Sequence, residues 1–199
     1  MIAMHIAIRA KGLKTGSVHV LDPFVGVGGN LIQFAKICGF CQGVDIEQQK
    51  VDYTTHNAKV YGLTTEFKVV LNDFLLLPES RKFDAVFLSP PWGGTGYQQL
   101  SEYSLDNIYP DFDQLLSKAL AFSSNLILFL PKNTSIHDLI TRLSKEHKRL
   151  KAKDREDNTE EMIIEIEKVM LGPSCKAIVV YTGDLAKIST NDLTTAFTT

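Results

Sequence analysis

The 199-residue chain lacks the features that mark membrane, disulfide-rich and metal-binding proteins. No apolar run approaches the roughly 18 residues that a membrane-spanning helix needs, so no membrane partner is expected. Three cysteines, an odd number, favour a reducing compartment over a disulfide framework. Cys38 and Cys41 form a C-x-x-C pair, but no second Cys/His pair stands at zinc-like spacing. We therefore expect buried thiols and no metal.

The chain also lacks an excess of positive charge. The net charge is −2, whereas a protein that grips a long duplex through its phosphates usually carries a strong positive excess. The sequence therefore predicts a site for a small molecule, or for only the end of a nucleic acid. The one basic stretch, residues 142 to 155, is interpreted as a solvated helix end and a flexible loop rather than an RNA-contacting arm.

What the chain does contain is an alternation of short apolar runs and helical patterns, with 44% hydrophobic residues. Runs that look buried on both faces predict an α/β fold with a mostly parallel, seven-stranded sheet and an antiparallel hairpin at the C-terminal end. The predicted domain covers residues 1–187, and residues 188–199 are expected to form a flexible tail. Strands are predicted at 18–21, 41–44, 67–70, 84–88, 126–130, 162–169 and 176–181, and helices at the N-terminus and at 30–37, 48–60, 111–122 and 135–147.

A glycine-rich segment at residues 22–30 follows the first predicted strand. Gly26 and Gly28 permit a tight turn and a close approach of the backbone to a ligand, just before a helix begins at Asn30. The segment is neither a G-x-G-x-x-G fingerprint nor a P-loop. Asp22 precedes the glycines and would repel a pyrophosphate, so the segment favours a ligand with positive charge.

Carboxylates also follow the next two predicted strands. Asp45 can accept hydrogen bonds from both hydroxyls of a ribose, and Asp73 can accept from an adenine amine. Phe74 could lie against the adenine ring. Because the carboxyl ends of parallel strands meet at one edge of a sheet, the three carboxylates are expected to line one site. A ribose, an adenine, an ammonium and a sulfonium together describe S-adenosylmethionine.

The stretch Ser-Pro-Pro-Trp-Gly-Gly-Thr-Gly-Tyr, residues 89–97, is the most informative part of the chain. Two prolines after a strand stiffen the backbone and remove two N–H donors, so the carbonyls of Ser89 and Pro90 can face a cleft. Trp92 is the only tryptophan. A rigid pair of acceptors beside a flat aromatic side chain suits a planar ring that carries an amino group.

In their order and spacing, these motifs resemble the trimethylguanosine synthase family, from about residue 2 to about residue 187. The segments Leu-Pro-Lys-Asn at 130–133 and Tyr-Thr-Gly-Asp-Leu at 181–185 belong to the match. The string Ser-Pro-Pro-Trp-Gly-Gly is specific, since most S-adenosylmethionine enzymes that act on exocyclic amines carry Asn or Asp first and Tyr or Phe fourth.

The resemblance implies a Rossmann-like class I methyltransferase fold and a nuclear enzyme, with the cytoplasm as a second location. It implies the transfer of two methyl groups to N2 of the 7-methylguanosine cap of small nuclear and nucleolar RNAs. The implied catalytic residues are Ser89, Pro90 and Trp92. The implied cofactor residues are Asp22, Phe24, Gly26, Gly28, Asn30, Asp45, Ile46, Asp73, Phe74 and Ser89, and the implied contacts of the capped RNA are Trp92, Tyr97, Lys132 and Asn133.

The family also carries a helical extension before this point, of which the chain is expected to contain only the last helix. A protein partner or that missing segment would then complete the site. Two other functions fit the same residues: a methyltransferase for guanine N2 or adenine N6 in other RNA or DNA, and a module that binds cap or cofactor without turnover.

Overall fold

The computed structural model describes residues 2–64, 66–79, 83–154 and 161–188. Of the predicted tail, only Ile188 falls within these ranges. No helix in the described ranges is both long enough and apolar enough to cross a membrane.

Within these ranges, seven strands and five α-helices follow one another in the predicted order. The strands are β1 (Val18–Asp22), β2 (Gly39–Asp45), β3 (Phe67–Leu71), β4 (Ala85–Leu88), β5 (Leu126–Pro131), β6 (Ile164–Leu171) and β7 (Ser174–Thr182). The helices are α1 (Ile2–Lys11), α2 (Gly29–Ile37), α3 (Gln48–Val60), α4 (Phe112–Phe122) and α5 (Ile136–Asp154).

The strands form one sheet in the order β3-β2-β1-β4-β5-β7-β6. Strands β1 to β5 are mutually parallel, and β7 runs antiparallel to both β5 and β6. The prediction of a mostly parallel sheet with a C-terminal antiparallel hairpin is confirmed. Because the chain order reverses between β1 and β4, the sheet has a switch point there, where open α/β sheets bind ligands.

Helices cover both faces of the sheet, and the strands alternate between two apolar cores. Val20 and Ile127 pack with residues of α1 and α2, whereas their neighbours Leu21 and Leu128 pack with residues of α4 and α5. All four of these side chains are fully buried. Burial on both faces explains why the strands are almost continuously apolar in sequence.

The last helix is longer than the sequence predicted. Helix α5 continues to Asp154 instead of ending near residue 147, so most of the basic stretch is helical and not a loop. One ion pair at helical spacing supports the extra turns, that of Arg149 with Glu146. No glycine or proline interrupts this segment, which leaves nothing in the sequence to end the helix earlier.

Candidate cofactor and substrate site

The three predicted carboxylates lie along one edge of the sheet. Asp22 ends β1, Asp45 ends β2, and Asp73 follows β3 by two residues. These strands are neighbours, with Asp22 in register with Gly43 and Asp45 in register with Leu71. The fold therefore brings together residues that are separated by more than 20 positions in the chain.

Asp45 joins the two loops that leave β1 and β2. Its Oδ2 accepts a hydrogen bond from the Gly26 N–H at 3.1 Å, and its Oδ1 accepts one from the Glu47 N–H at 3.1 Å. Each carboxylate oxygen keeps a second lone pair, so hydroxyl groups of a ligand can still be accepted. Ile46, which follows, is 68% exposed at this edge and offers an apolar surface.

The glycine-rich turn is held from α3. Gly28 has φ 88°, and a Cβ placed there would stand 2.9 Å from the Thr54 methyl group, so only glycine fits. The Thr54 hydroxyl donates to the Gly26 carbonyl at 2.7 Å, and the Asn57 amide donates to the Val27 carbonyl at 2.9 Å. Sequence reasoning gave neither Thr54 nor Asn57 a role in the site.

Asn30 was predicted to contact the cofactor. It lies in the first turn of α2, directly after this glycine-rich turn, and is half-buried. This position is at the carboxyl edge of β1, beside the loop that Asp45 holds. The cofactor contact of Asn30 stays a prediction.

Asp22 is a buried acid at this edge. It is 2% exposed, and its only described hydrogen bond is a long one, from the Phe24 N–H to Oδ1 at 3.4 Å. Burial raises its pKa from 3.8 to about 7, and the negative charge of Asp45 adds to the shift. No cation among the described residues forms an ion pair with it. A cationic ligand would supply the missing partner, so this residue fits the ammonium of S-adenosylmethionine.

Asp73 and Phe74 form the third corner of the site. One Asp73 oxygen accepts from the Leu75 N–H at 2.8 Å and caps a short 3-10 turn. The Phe74 ring is 3% exposed, stacks on Phe122 at 5.9 Å and meets Phe24 edge-on at 6.3 Å. Phe74 therefore supports the half-buried Phe24 ring from within the core, and its contact with adenine stays a prediction.

The loop after β4 places its aromatic ring against β5. Trp92 stacks on Phe129 at 5.4 Å, meets Tyr97 edge-on at 5.2 Å and donates its indole N–H to the Phe129 carbonyl at 3.3 Å. Pro90 is buried and Ser89 half-buried. Within the described residues, the carbonyls of Ser89 and Pro90 accept no hydrogen bond, so both remain available as acceptors.

A second segment, directly after β5, approaches the same loop. Lys132 is exposed, and the Asn133 side chain donates to the carbonyls of Tyr97 and Leu100 at 3.0 and 2.8 Å. Tyr103, which the sequence did not single out, donates its hydroxyl to the Trp92 carbonyl at 3.2 Å. The structure thus brings Trp92, Tyr97 and Asn133 together, with Lys132 next to Asn133 in the chain. Their contacts with RNA stay predictions.

The fold is that of a class of protein, the S-adenosylmethionine-dependent methyltransferases. Solved structures agree on the fold: a methyltransferase of this type from Agrobacterium tumefaciens aligns with TM-score 0.65 and 13% identity, covering 91% of this chain and 60% of that one. A candidate RNA methyltransferase from Pyrococcus horikoshii aligns with TM-score 0.62 and 16% identity, covering 91% and 82%.

Within that class, the chain belongs to the RNA cap guanine-N2 methyltransferase family, whose model matches residues 17–185. The family assignment made from the sequence motifs is confirmed. The match extends from just before β1 to the turn after β7, so it includes every strand of the sheet.

Curated relatives point the same way. The chain is 36% identical over 127 residues to trimethylguanosine synthase of Schizosaccharomyces pombe and 33% identical over 145 residues to that of Saccharomyces cerevisiae. The alignments cover 60% and 69% of this chain, but only 53% and 46% of those proteins. It is also 30% identical over 133 residues to a tRNA (guanine(10)-N2)-dimethyltransferase of Methanothermobacter thermautotrophicus, covering 67% of this chain and 38% of that protein. The chain spans about half the length of the first two relatives.

Proposed function

We propose that this chain is the methyltransferase domain of an enzyme that methylates N2 of the 7-methylguanosine cap of small nuclear and nucleolar RNAs. One observation carries the proposal: a cap guanine-N2 methyltransferase family model matches the entire sheet, including the Ser-Pro-Pro-Trp loop at its carboxyl edge. Residues 1–187 would form this domain. A further segment or a partner protein would complete the site.

The proposed cofactor residues surround the ends of β1, β2 and β3. Asp22 would pair with the ammonium of the methionine moiety, Asp45 with the ribose hydroxyls, and Asp73 with the adenine amine. Phe24 and Ile46 would provide apolar walls, while Gly26, Gly28 and Asn30 let the backbone approach. When bound, S-adenosylmethionine supplies a methyl group on a positively charged sulfur.

Catalysis by these residues would depend on alignment. An exocyclic guanine amine is a weak nucleophile because its lone pair is delocalised into the ring. Carbonyls at Ser89 and Pro90 would accept hydrogen bonds from the two amine N–H groups and turn the nitrogen towards the methyl group, with reacting atoms about 3 Å apart. The proton can leave after transfer, so no dedicated base is needed.

Trp92 would select the methylated cap. Guanine methylated at N7 is positively charged, and a desolvated cation–π contact with an indole contributes about 2 kcal/mol. That energy corresponds to a preference of about 30-fold over plain guanine. Phe129 already stacks on the indole and its carbonyl takes the N–H, so the ligand would use the remaining surface of the ring. Lys132 would meet the cap phosphates.

Mass spectrometry of a 7-methylguanosine cap dinucleotide tests the proposal. After incubation with the protein and S-adenosylmethionine, we expect the dinucleotide to gain the mass of one or two methyl groups, and an unmethylated guanosine dinucleotide to gain far less. Cofactor binding without any transfer would instead identify a non-catalytic binding module.

A second candidate function is methylation of guanine N2 within tRNA, which the similarity to an archaeal tRNA enzyme favours. Uncapped tRNA belongs in the same assay, and faster methylation of tRNA than of the cap dinucleotide would replace the cap proposal.

A nuclear location is part of the proposal as well. Imaging of the tagged protein would test it, and a purely cytoplasmic signal would contradict it.

A further inference from the structure

The tryptophan loop, residues 89 to 100, is hydrogen-bonded to the segment that follows β5. The Asn133 side chain donates both of its N–H groups to this loop, one to the Tyr97 carbonyl at 3.0 Å and one to the Leu100 carbonyl at 2.8 Å. Because both acceptors are carbonyls, the amide nitrogen must face them, and this fixes the orientation of the side chain.

Tyr103 provides a second tie. Its hydroxyl donates to the Trp92 carbonyl at 3.2 Å, its N–H donates to the Asn133 carbonyl at 2.8 Å, and its own carbonyl accepts from the Ser135 N–H at 3.2 Å. The residue is 1% exposed, and it forms a β-bridge with Thr134. Asn133 and Tyr103 are therefore parts of one hydrogen-bonded unit, which holds both ends of the loop.

The second half of the loop forms a short 3-10 helix, Thr95–Gln99, but a pair of glycines separates this helix from Trp92. Gly93 and Gly94 both have positive φ, at 79° and 84°, and allow the chain many alternative conformations. Two adjacent glycines between Trp92 and Tyr97 would let the aromatic rings move relative to the sheet unless something fixes the backbone on either side. The hydrogen bonds from Asn133 and Tyr103 act on those two sides.

We propose that Asn133 is a positioning residue that fixes the tryptophan loop in the geometry needed for methyl transfer, with Tyr103 as its partner. This inference rests on the proposed function, and it assigns Asn133 a different role from the direct RNA contact implied by the resemblance. The competing role is a direct hydrogen bond between Asn133 and the substrate. The Asn133 Oδ1 atom is buried and accepts no hydrogen bond within the described residues, so it could instead receive a donor from the substrate.

Asn133→Asp separates the two roles. The substitution keeps an acceptor oxygen of the same size at Oδ1 and replaces the donor nitrogen with an oxygen that repels both loop carbonyls. If the side chain anchors the loop, kcat/KM for the cap dinucleotide falls about 30-fold, as expected for two lost hydrogen bonds. The affinity for S-adenosylmethionine stays unchanged. Asn107→Asp is the matched control, because it adds the same charge to an exposed side chain between the loop and α4.

Intrinsic fluorescence reads the loop directly, since Trp92 is the only tryptophan. In the ligand-free protein we expect Asn133→Asp, but not Asn107→Asp, to move the emission maximum to longer wavelength as the indole loses its contacts with Phe129. An unchanged spectrum together with a raised KM and an unchanged kcat would assign Asn133 to direct substrate contact and overturn the proposal. Retention of both the spectrum and full activity would also overturn it.

Tyr103→Phe serves as the second variant if Asn133→Asp fails to fold by circular dichroism. It removes one hydroxyl, so a smaller change in the same two readouts is expected, with Tyr61→Phe as its control at the far end of α3. If the wild-type protein methylates no cap, the proposed function fails, whereas the fluorescence comparison still decides whether the loop is anchored from β5.

Discussion

Trp92 shows at the scale of one residue how a side chain can be both structural and available to a ligand. Its indole N–H and one stacking contact are taken by Phe129, yet the residue is only half-buried. A ring whose orientation is already fixed loses little entropy when a ligand stacks on it. The contacts with Phe129 therefore suit a recognition role and do not compete with it.

Replacing this ring should separate substrate recognition from cofactor binding. We expect Trp92→Ala to abolish cap methylation while the affinity for S-adenosylmethionine, measured by isothermal titration, stays near the wild-type value. Asp45→Ala is the complementary variant, because it removes the acceptor that holds the Gly26 loop, and it should lose cofactor binding. Loss of cofactor binding in Trp92→Ala would show that the indole belongs to the cofactor site and not to the substrate site.

The buried Asp22 predicts an unusual pH dependence of stability. Its pKa is raised from 3.8 to about 7, so the folded state binds more protons than the unfolded state between those values. The free energy of unfolding should therefore fall as pH rises through this window and level off above it. The substitution Asp22→Asn removes this dependence on pH. The difference in free energy of unfolding between Asp22→Asn and wild type should therefore widen by about 3 kcal/mol from pH 5 to pH 8.

Urea unfolding of the ligand-free protein at both pH values measures this gap. Asp52→Asn, on the exposed side of α3, is the control for the general effect of removing one negative charge. A gap that is the same at pH 5 and pH 8 would show that Asp22 is ionised in the folded protein across this range.

At the scale of elements, α3 is the support of the glycine-rich turn. Thr54 and Asn57 lie one helical turn apart and donate to successive carbonyls of that turn, those of Gly26 and Val27. The packing of α3 against β2 and β3 is thereby linked to the shape of the cofactor site. Helix α3 thus supports the candidate cofactor site in addition to packing on the sheet.

Thr54→Val tests this support, since it keeps the shape of the side chain and removes only the hydroxyl. Without a donor, the Gly26 carbonyl loses a hydrogen bond worth about 1 kcal/mol, so the affinity for S-adenosylmethionine should fall about fivefold. Thr55→Val is the control, because the Thr55 hydroxyl donates only within α3, to the Val51 carbonyl. Equal effects of both variants on affinity would refute a special role of Thr54.

At the scale of the whole molecule, the balance of charge would limit how the proposed RNA substrate is held. The net charge of −2 and the neutralisation of Arg142 by Asp106, Asp113 and Asp138 leave little positive charge near the start of α5. Exposed Lys145 lies further along that helix. We therefore infer that binding energy comes mainly from the cap end of the RNA.

This inference predicts a shallow dependence of binding on salt. If only the cap phosphates are contacted, the slope of log affinity against log salt should be about −2 and should be the same for a cap dinucleotide and for a long capped RNA. Fluorescence titration of Trp92 from low to high salt measures both slopes. A steeper slope for the long RNA would show that the basic part of α5 contacts the RNA chain.

The sequence by itself determined the fold class, because its apolar runs are short and are separated by turn residues. It determined the family through the order and spacing of its motifs, above all Ser-Pro-Pro-Trp-Gly-Gly. It also placed Asp22, Asp45 and Asp73 at one edge, since the carboxyl ends of parallel strands meet there. It misjudged the length of α5, because the residues after His147 have a polar, loop-like composition, whereas the structure continues the helix there with support from the Arg149–Glu146 ion pair.

Only the tertiary structure decided which residues support the site. Thr54, Tyr103 and Phe129 carry no motif, and their contacts join segments that lie from 11 to 37 residues apart in the chain. Long-range hydrogen bonds of this kind depend on how helices and loops pack on the sheet, and no local pattern of residues encodes them. The protonation of Asp22 follows the same rule, because burial, which only packing determines, sets its pKa.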